Sequence, residues 1–148
     1  SVLENVELPL KWNYKPNDYK IYWRDTGLLI ASLDEEAQID FRQNKNFNTY
    51  KGAIYENIIA DAFVKQGYDL YYYKNEKSTL EIDFFVRDMR SLIPVEVKAS
   101  DNATKSLCNL IEKDKYDLKV VKKFALDNVS KVYGGYTANV CKFILKLF

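Results

Sequence analysis

The sequence predicts an α/β domain, a mixed central sheet with helices packed on its faces. Two patterns and their order predict it. Residues 52–66 read as a helix closed by Gly67, while residues 80–86 and 93–98 alternate apolar and polar residues at the strand period. Along the chain the order is helix, three strands, helix, strand. With 148 residues, 47% hydrophobic and 29% charged, there is material for one compact domain with a core. The 12 Tyr and 8 Phe exclude disorder, and 5 Gly with 3 Pro exclude collagen-like and low-complexity classes.

Each element has its own signal. Residues 1–19, with Pro9, Pro16 and Asn17-Asp18, read as an irregular leading segment with little structure of its own; residues 20–148 read as a single α/β domain. Lys20–Trp23 suits a short strand, and Asp25 or Thr26 caps a short helix running to Leu33. Residues 34–49 suit a polar helix remnant and a loop. At 100° per residue, the helix over 52–66 puts Gly52, Ala53, Tyr55, Ile59, Ala60, Ala62 and Phe63 on one face and Asn57, Asp61 and Lys65 in a polar row. Tyr68–Lys74 is an aromatic strand. In the next strand Leu80, Ile82, Phe84 and Val86 share one side, with Glu81, Asp83 and Phe85 on the other. Ile93, Val95 and Val97 alternate with Pro94, Glu96 and Lys98, and residues 87–91 form the hairpin loop between these strands. A helix over 104–114, a strand over 120–126 and a weak strand over 140–148 complete the expectation.

Composition also excludes chemistry. Histidine is absent, which removes Ser-His and Cys-His triads, His-ligated metals and imidazole acid–base catalysis. Cys108 and Cys141 are too few for a disulfide framework or a zinc site, so a reducing, cytoplasmic location is expected. No apolar run has the length of a membrane span and no signal-peptide pattern opens the chain, so no membrane partner is expected. A chain that starts at Ser1 is expected to be a fragment of something longer. Residues 1–97 carry 12 Lys+Arg against 16 Asp+Glu, whereas residues 98–148 carry 10 against 5, a basic segment on a mildly acidic body.

Three carboxylates fall where the pattern calls for something else. Glu56 lies among Ile59, Ala60 and Phe63 on the apolar face of its helix, a costly place without a cation or donor. Asp83 shares a strand face with Glu81. Glu96 and Lys98, two apart, share a face of the next strand. Pairing of these strands makes Asp83 and Glu96 cross-strand neighbours, and a helix laid over that face brings Glu56 to them. Carboxylates converging in this way suit a hard divalent cation, Mg²⁺ or Mn²⁺. A lysine beside them can orient water or stabilise charge developing on phosphorus. Such a set suffices for phosphodiester hydrolysis; the alternative is an ordinary Glu96–Lys98 ion pair on an exposed strand.

Ile82-Asp83 and Pro94-Val-Glu96-Val-Lys98, with 12 residues between Asp83 and Glu96, resemble the Asp…Glu-X-Lys signature of the PD-(D/E)XK nuclease superfamily. That resemblance implies a restriction-endonuclease-like core, α-β-β-β-α-β, and Glu56 in Gly52-Ala-Ile-Tyr-Glu56-Asn matches the acidic residue of its first helix. More narrowly, Ile21-Tyr-Trp-Arg-Asp-Thr-Gly-Leu28, Lys51-Gly-Ala-Ile-Tyr-Glu56-Asn, Leu80-Glu-Ile-Asp83-Phe and Val95-Glu-Val-Lys-Ala-Ser100 resemble, in that order, the C-terminal domain of unknown function of a group of bacterial and archaeal P-loop ATPases. The resemblance spans about residues 20–125 and implies a covalently linked ATPase domain ahead of Ser1. It also implies that Asp83 and Glu96 ligate the metal with the Val97 carbonyl, that Glu56 is a direct or water-mediated partner, that Lys98 is catalytic and that Glu81 is a supporting acid. Pro94 stands directly before Val95-Glu96, so the aspartate has to come from the preceding strand. The expected function is a metal-dependent nuclease acting on nucleic acid, with DNA the expected polymer. The alternative is a nuclease-like fold serving the ATPase as a non-catalytic interaction or regulatory module.

Weaker signals have simpler readings. Asp25-Thr-Gly27 matches the aspartic-protease triplet but reads as a helix-capping turn. Tyr71-Tyr-Tyr73 reads as sheet packing before base stacking. Lys119, Lys122 and Lys123 either track a phosphate backbone or decorate an edge strand.

Overall fold

A computed structural model of the chain describes residues 1–43, 45, 47–75, 80–88, 91–98, 122–125, 131–132 and 135–139. Their centre is an eight-stranded mixed sheet in the order β2-β1-β3-β4-β5-β6-β8-β7. The strands are β1 (Val2–Leu3), β2 (Tyr14–Lys15), β3 (Tyr71–Lys74), β4 (Glu81–Asp88), β5 (Ser91–Lys98), β6 (Lys122–Ala125), β7 (Lys131–Val132) and β8 (Gly135–Asn139). β3, β4 and β5 form an antiparallel meander, and β6 lies parallel beside β5. The α/β class and mixed sheet expected from the sequence are therefore present. The expected elements over 104–114 and 140–148 lie outside the described residues.

Two clusters sandwich the sheet. On one side α3 (Phe47–Lys65) brings Ile59, Ala60 and Phe63 against Phe84, Val86, Ile93, Val95 and Val97. On the other, Leu3, Val6 and Leu10 meet Tyr71, Leu80, Ile82, Phe85 and Leu92. Phe84 and Phe85 are both fully buried, one in each cluster, and each contributes roughly 1.5–3 kcal/mol by leaving water.

The leading segment is more structured than its composition suggests. Residues 1–19 supply β1, the 3₁₀ turn Leu10–Trp12 and β2. β1 joins β3 in parallel, with the Tyr72 N–H donating to the Ser1 carbonyl at 2.9 Å. Three apolar residues spaced through a polar stretch have no period, so only tertiary packing reveals them as core. Lys20–Trp23, in contrast, is not a strand. Asn57 of α3 takes the Trp23 N–H at 2.8 Å and donates to the Trp23 carbonyl at 3.1 Å and to Thr26 Oγ1 at 3.0 Å. The N–H and carbonyl of Trp23, which a strand would have paired, are satisfied by one amide side chain.

Helix boundaries follow local chemistry. Asp25 caps α1 (Thr26–Ala31) by accepting from the N–H groups of Gly27 and Leu28, which settles the Asp25-Thr-Gly27 triplet as a cap. Residues 34–49, expected as a remnant and loop, contain a full helix, α2 (Glu35–Arg42), capped by Asp34. α3 starts at Phe47, five residues before the expected Gly52. Its end is as expected: Gly67 has φ +82°, and the N–H groups of Gly67 and Tyr68 return to the carbonyls of Val64 and Phe63. The buried face of α3 is rotated from expectation, with Ile54 and Asn57 buried and Gly52 and Ala53 exposed. Helical spacing puts Asn57 in the polar row, yet it is 3% exposed because it clamps Trp23.

Replacing Asn57 by Ala leaves two half-buried backbone groups of Trp23 and the Thr26 hydroxyl without these partners. We expect a loss of about 2–4 kcal/mol in stability by chemical denaturation, with the far-UV signal of the folded state retained.

Candidate functional site

The site forms where the β4–β5 ladder stops. Cα partners run from Asp88–Ser91 back to Phe84–Val95 and end there, one pair short of Asp83 and Glu96. β4 also carries an irregularity against β3, since Tyr71 pairs with Phe85 but Tyr73 pairs with Ile82. One extra β4 residue fits into that interval, at Asp83–Phe84, which is the signature of a β-bulge. It corrects the expected alternation: Ile82 and Phe85 enter one cluster, Phe84 and Val86 the other.

Asp83 occupies the bulge. Its Oδ2 accepts the Val97 N–H at 2.8 Å, taking the place of a ladder carbonyl from β4. Burial pushes the Asp83 pKa up to about 6. The Val97 hydrogen bond opposes that rise, the charge of Glu56 adds to it, and Lys98 and Lys20 pull it down.

Glu96 and Lys98 form the second part. Glu96 is 2% exposed, and its Oε1 lies 2.8 Å from Lys98 Nζ. Its Oε2 is buried with no hydrogen-bond partner among the described residues, an expensive condition for a carboxylate oxygen. Burial opposes the charge on Lys98, but the bond and charge of Glu96, with Asp83 and Glu81 beyond, outweigh it and hold the ammonium pKa above its ordinary value. Val95 and Val97 pack against α3, so by alternation Glu96 and Lys98 belong to the opposite face of β5. α3 therefore does not cover the Glu96–Lys98 face, as the strand pattern alone suggested.

Glu56 arrives from the α3 side and is already engaged. Its Oε1 accepts from Lys20 Nζ at 2.8 Å and from the Tyr22 hydroxyl at 2.6 Å. Desolvation first, and then the Glu56 hydrogen bond, raise the Tyr22 pKa well above its ordinary value. Glu81 lies 3.7 Å from Lys20 and 3.9 Å from Lys74. Lys20 and Tyr22 were missed by sequence reasoning, and no motif marks them; the only clue was that a carboxylate on an apolar helix face demands a partner.

Asp83 thus stands between two pairs, Lys20–Glu56 and Lys98–Glu96, and feels charge from both. Among the described residues no three carboxylate or thiol side chains gather closely enough to hold a metal ion by themselves. The donor chemistry still suits a hard cation: Asp83 and Glu96 offer oxygens from adjacent strands, and Glu96 Oε2 lacks the partner a cation would supply. Lys122 and Lys123 lie on β6, with Lys123 in register with Glu96; their side chains lie outside the described residues. Tyr71 and Tyr72 are each 8% exposed, and Tyr73 packs edge-on to Phe85, so this run is sheet packing.

Residues 51–142 match the family described as Domain of unknown function (DUF4143), and the chain belongs to that family. Comparison with curated proteins found no match. No helix among the described residues is long and apolar enough to cross a membrane.

The Asp83 shift has a defined consequence for stability. The folded chain holds this proton more tightly than the unfolded chain, whose value is near 3.8, so stability falls as pH rises from about 4 through about 6. In the presence of a chelator, Asp83→Asn, which keeps an acceptor for Val97, should be more stable than wild type at pH 7.5 by about 1–3 kcal/mol. That margin should shrink towards zero at pH 4 in matched urea titrations. A margin independent of pH would show that Asp83 ionises freely.

Proposed function

We propose that this domain hydrolyses phosphodiester bonds in nucleic acid with a divalent cation, Mg²⁺ or Mn²⁺, held by Asp83 and Glu96. The observation that carries the reading is the buried, unpartnered Glu96 Oε2 beside Lys98, on the strand whose Val97 N–H is held by Asp83. The Val97 carbonyl and Glu56 are further candidate donors. The cation would supply Lewis-acid activation of a water and of the phosphoryl oxygens. Lys98, held charged by Glu96, stabilises negative charge developing on the phosphate. Asp83, its pKa pushed up to about 6 by burial, is largely ionised at neutral pH and would meet a cation as the carboxylate, any remaining proton being released to water. Glu81 supports the arrangement by sharing Lys20 with Glu56.

A restriction-endonuclease-like core belongs to the same proposal. Its support is the order of α3, the antiparallel β3–β4–β5 meander and β6 parallel to β5, together with the Asp83…Glu96-X-Lys98 spacing. The sequence resemblance further suggests a covalently linked P-loop ATPase, a cytoplasmic setting and DNA as the polymer. A second reading, a non-catalytic module that serves such an ATPase, is favoured by one observation. Glu56 is bound by Lys20 and Tyr22 rather than turned to a three-carboxylate centre.

Cleavage of labelled DNA and RNA with Mg²⁺ or Mn²⁺ separates the two. Glu96→Ala and Lys98→Ala should each reduce cleavage by about a hundredfold or more. Metal titration should distinguish them, with affinity lost in Glu96→Ala and kept in Lys98→Ala. A wild-type domain that binds the cation and cuts neither polymer would establish the second reading.

The lysines of β6 allow a further check. Lys122→Glu with Lys123→Glu should weaken DNA binding across unrelated sequences and flatten its dependence on salt. Unchanged binding at low salt would remove β6 from the interface.

A further inference from the structure

Beside the candidate site, β1, β2, β3 and the chain that follows β2 enclose a cleft of about 480 Å³. Lys15, Lys20 and Lys74 line it against one carboxylate, Asp18, and Tyr19 and Tyr72 supply aromatic surface. Tyr19 is 66% exposed, so its ring face is open to a ligand. Lys15 makes no ion pair among the described residues. The Lys74 ammonium is 3.9 Å from Glu81, with both side chains over 40% exposed, a pair that water and salt weaken readily. Lys20 connects cleft and site: its ammonium sits 4.0 Å from the Tyr72 ring centre and 2.8 Å from Glu56 Oε1.

We propose that this cleft seats one nucleotide of a single strand of nucleic acid, with its phosphate on Lys15 and Lys74 and its base on Tyr19. A phosphate diester brings a full negative charge and acceptor oxygens, so it competes with Glu81 for Lys74 and gives Lys15 a partner. The cleft has the volume of a small-ligand site. Cations beside an exposed aromatic ring are the arrangement that holds a strand without reading its sequence. A duplex keeps its bases stacked and cannot present one to Tyr19. Lys20 stays with Glu56, so the occupied cleft leads the neighbouring phosphate towards Asp83. This inference rests on the nuclease reading for the direction of the strand, but binding itself needs neither metal nor cleavage.

The test is anisotropy of a short labelled oligothymidylate and a matched duplex, in chelator and over a salt series. Lys15→Glu with Lys74→Glu should weaken single-strand binding at least tenfold and lower the log–log salt slope by about 0.7, the loss of one neutralised phosphate. Lys15→Gln with Lys74→Gln, a milder pair whose melting temperature should match wild type, should lower the slope similarly. Tyr19→Ala should cost about tenfold on the single strand and leave the slope unchanged. Unaltered affinity in the lysine pairs overturns the proposal. So does a wild-type preference for duplex, or a Tyr19→Ala protein that binds like wild type, since the cleft is then only a patch for polyanions. Wild-type protein that binds the strand through these residues but never cuts it leaves the cleft standing and overturns the hydrolase reading. Cleavage that persists with unaltered binding in the lysine pairs does the reverse.

Discussion

The hydrogen bond from the Val97 N–H to the Asp83 carboxylate is the constraint on which the site depends. A regular antiparallel pair would have given that N–H a backbone carbonyl. The extra residue in β4 removes it from the ladder, and the side chain takes its place. The exchange turns a carboxylate inward, where burial raises its pKa. It also separates the ends of β4 and β5, whose Cα pairing stops at Phe84–Val95. The sheet is continuous on both sides of this point, so the cost of the buried acid is carried by the packing of Phe84, Phe85 and Val95, all within 1% of full burial.

Around Asp83 the charges are arranged in pairs. Lys98 neutralises Glu96 from β5, and Lys20 neutralises Glu56 from α3. The two pairs differ in what they leave over. Glu56 Oε1 accepts two donors, from Lys20 and Tyr22, and is electrostatically satisfied. Glu96 spends Oε1 on Lys98 and retains a buried oxygen with no partner among the described residues. An unsatisfied buried carboxylate oxygen is destabilising in the absence of ligand, and sites of function are where such costs persist. The stretch that supplies Lys20 and Tyr22 is held to α3 by Asn57, so a buried amide next to Glu56 in the chain fixes that side of the site.

Much of this was legible before any coordinates. Glu56, Asp83, Glu96 and Lys98 stood out because charged residues broke an apolar pattern; in the structure Glu96 pairs with Lys98 on β5, Asp83 accepts the Val97 N–H, and Glu56 is held on the α3 side by Lys20 and Tyr22. The end of α3 was legible at Gly67, where a positive φ and the Tyr68–Phe63 contact follow from one residue's freedom. Less legible were the buried Leu3, Val6 and Leu10, whose partners lie some seventy residues away in β3 and β4. Asn57 was misplaced for a related reason: an amide on a helix has no sequence mark for a backbone clamp formed with Trp23.

What the sequence by itself determined is local: the cap at Asp25, the stop at Gly67, the strand period of β5, and the acids and one lysine that interrupt the apolar pattern. Each follows from a residue and its near neighbours. Tertiary structure decided which face each acid occupies, because a single inserted residue at Asp83–Phe84 reverses the parity of a strand and alternation cannot report it. It also decided that Glu56 is answered by Lys20 and Tyr22, which chain separation hides, since a charge finds its partner through space and not along the chain.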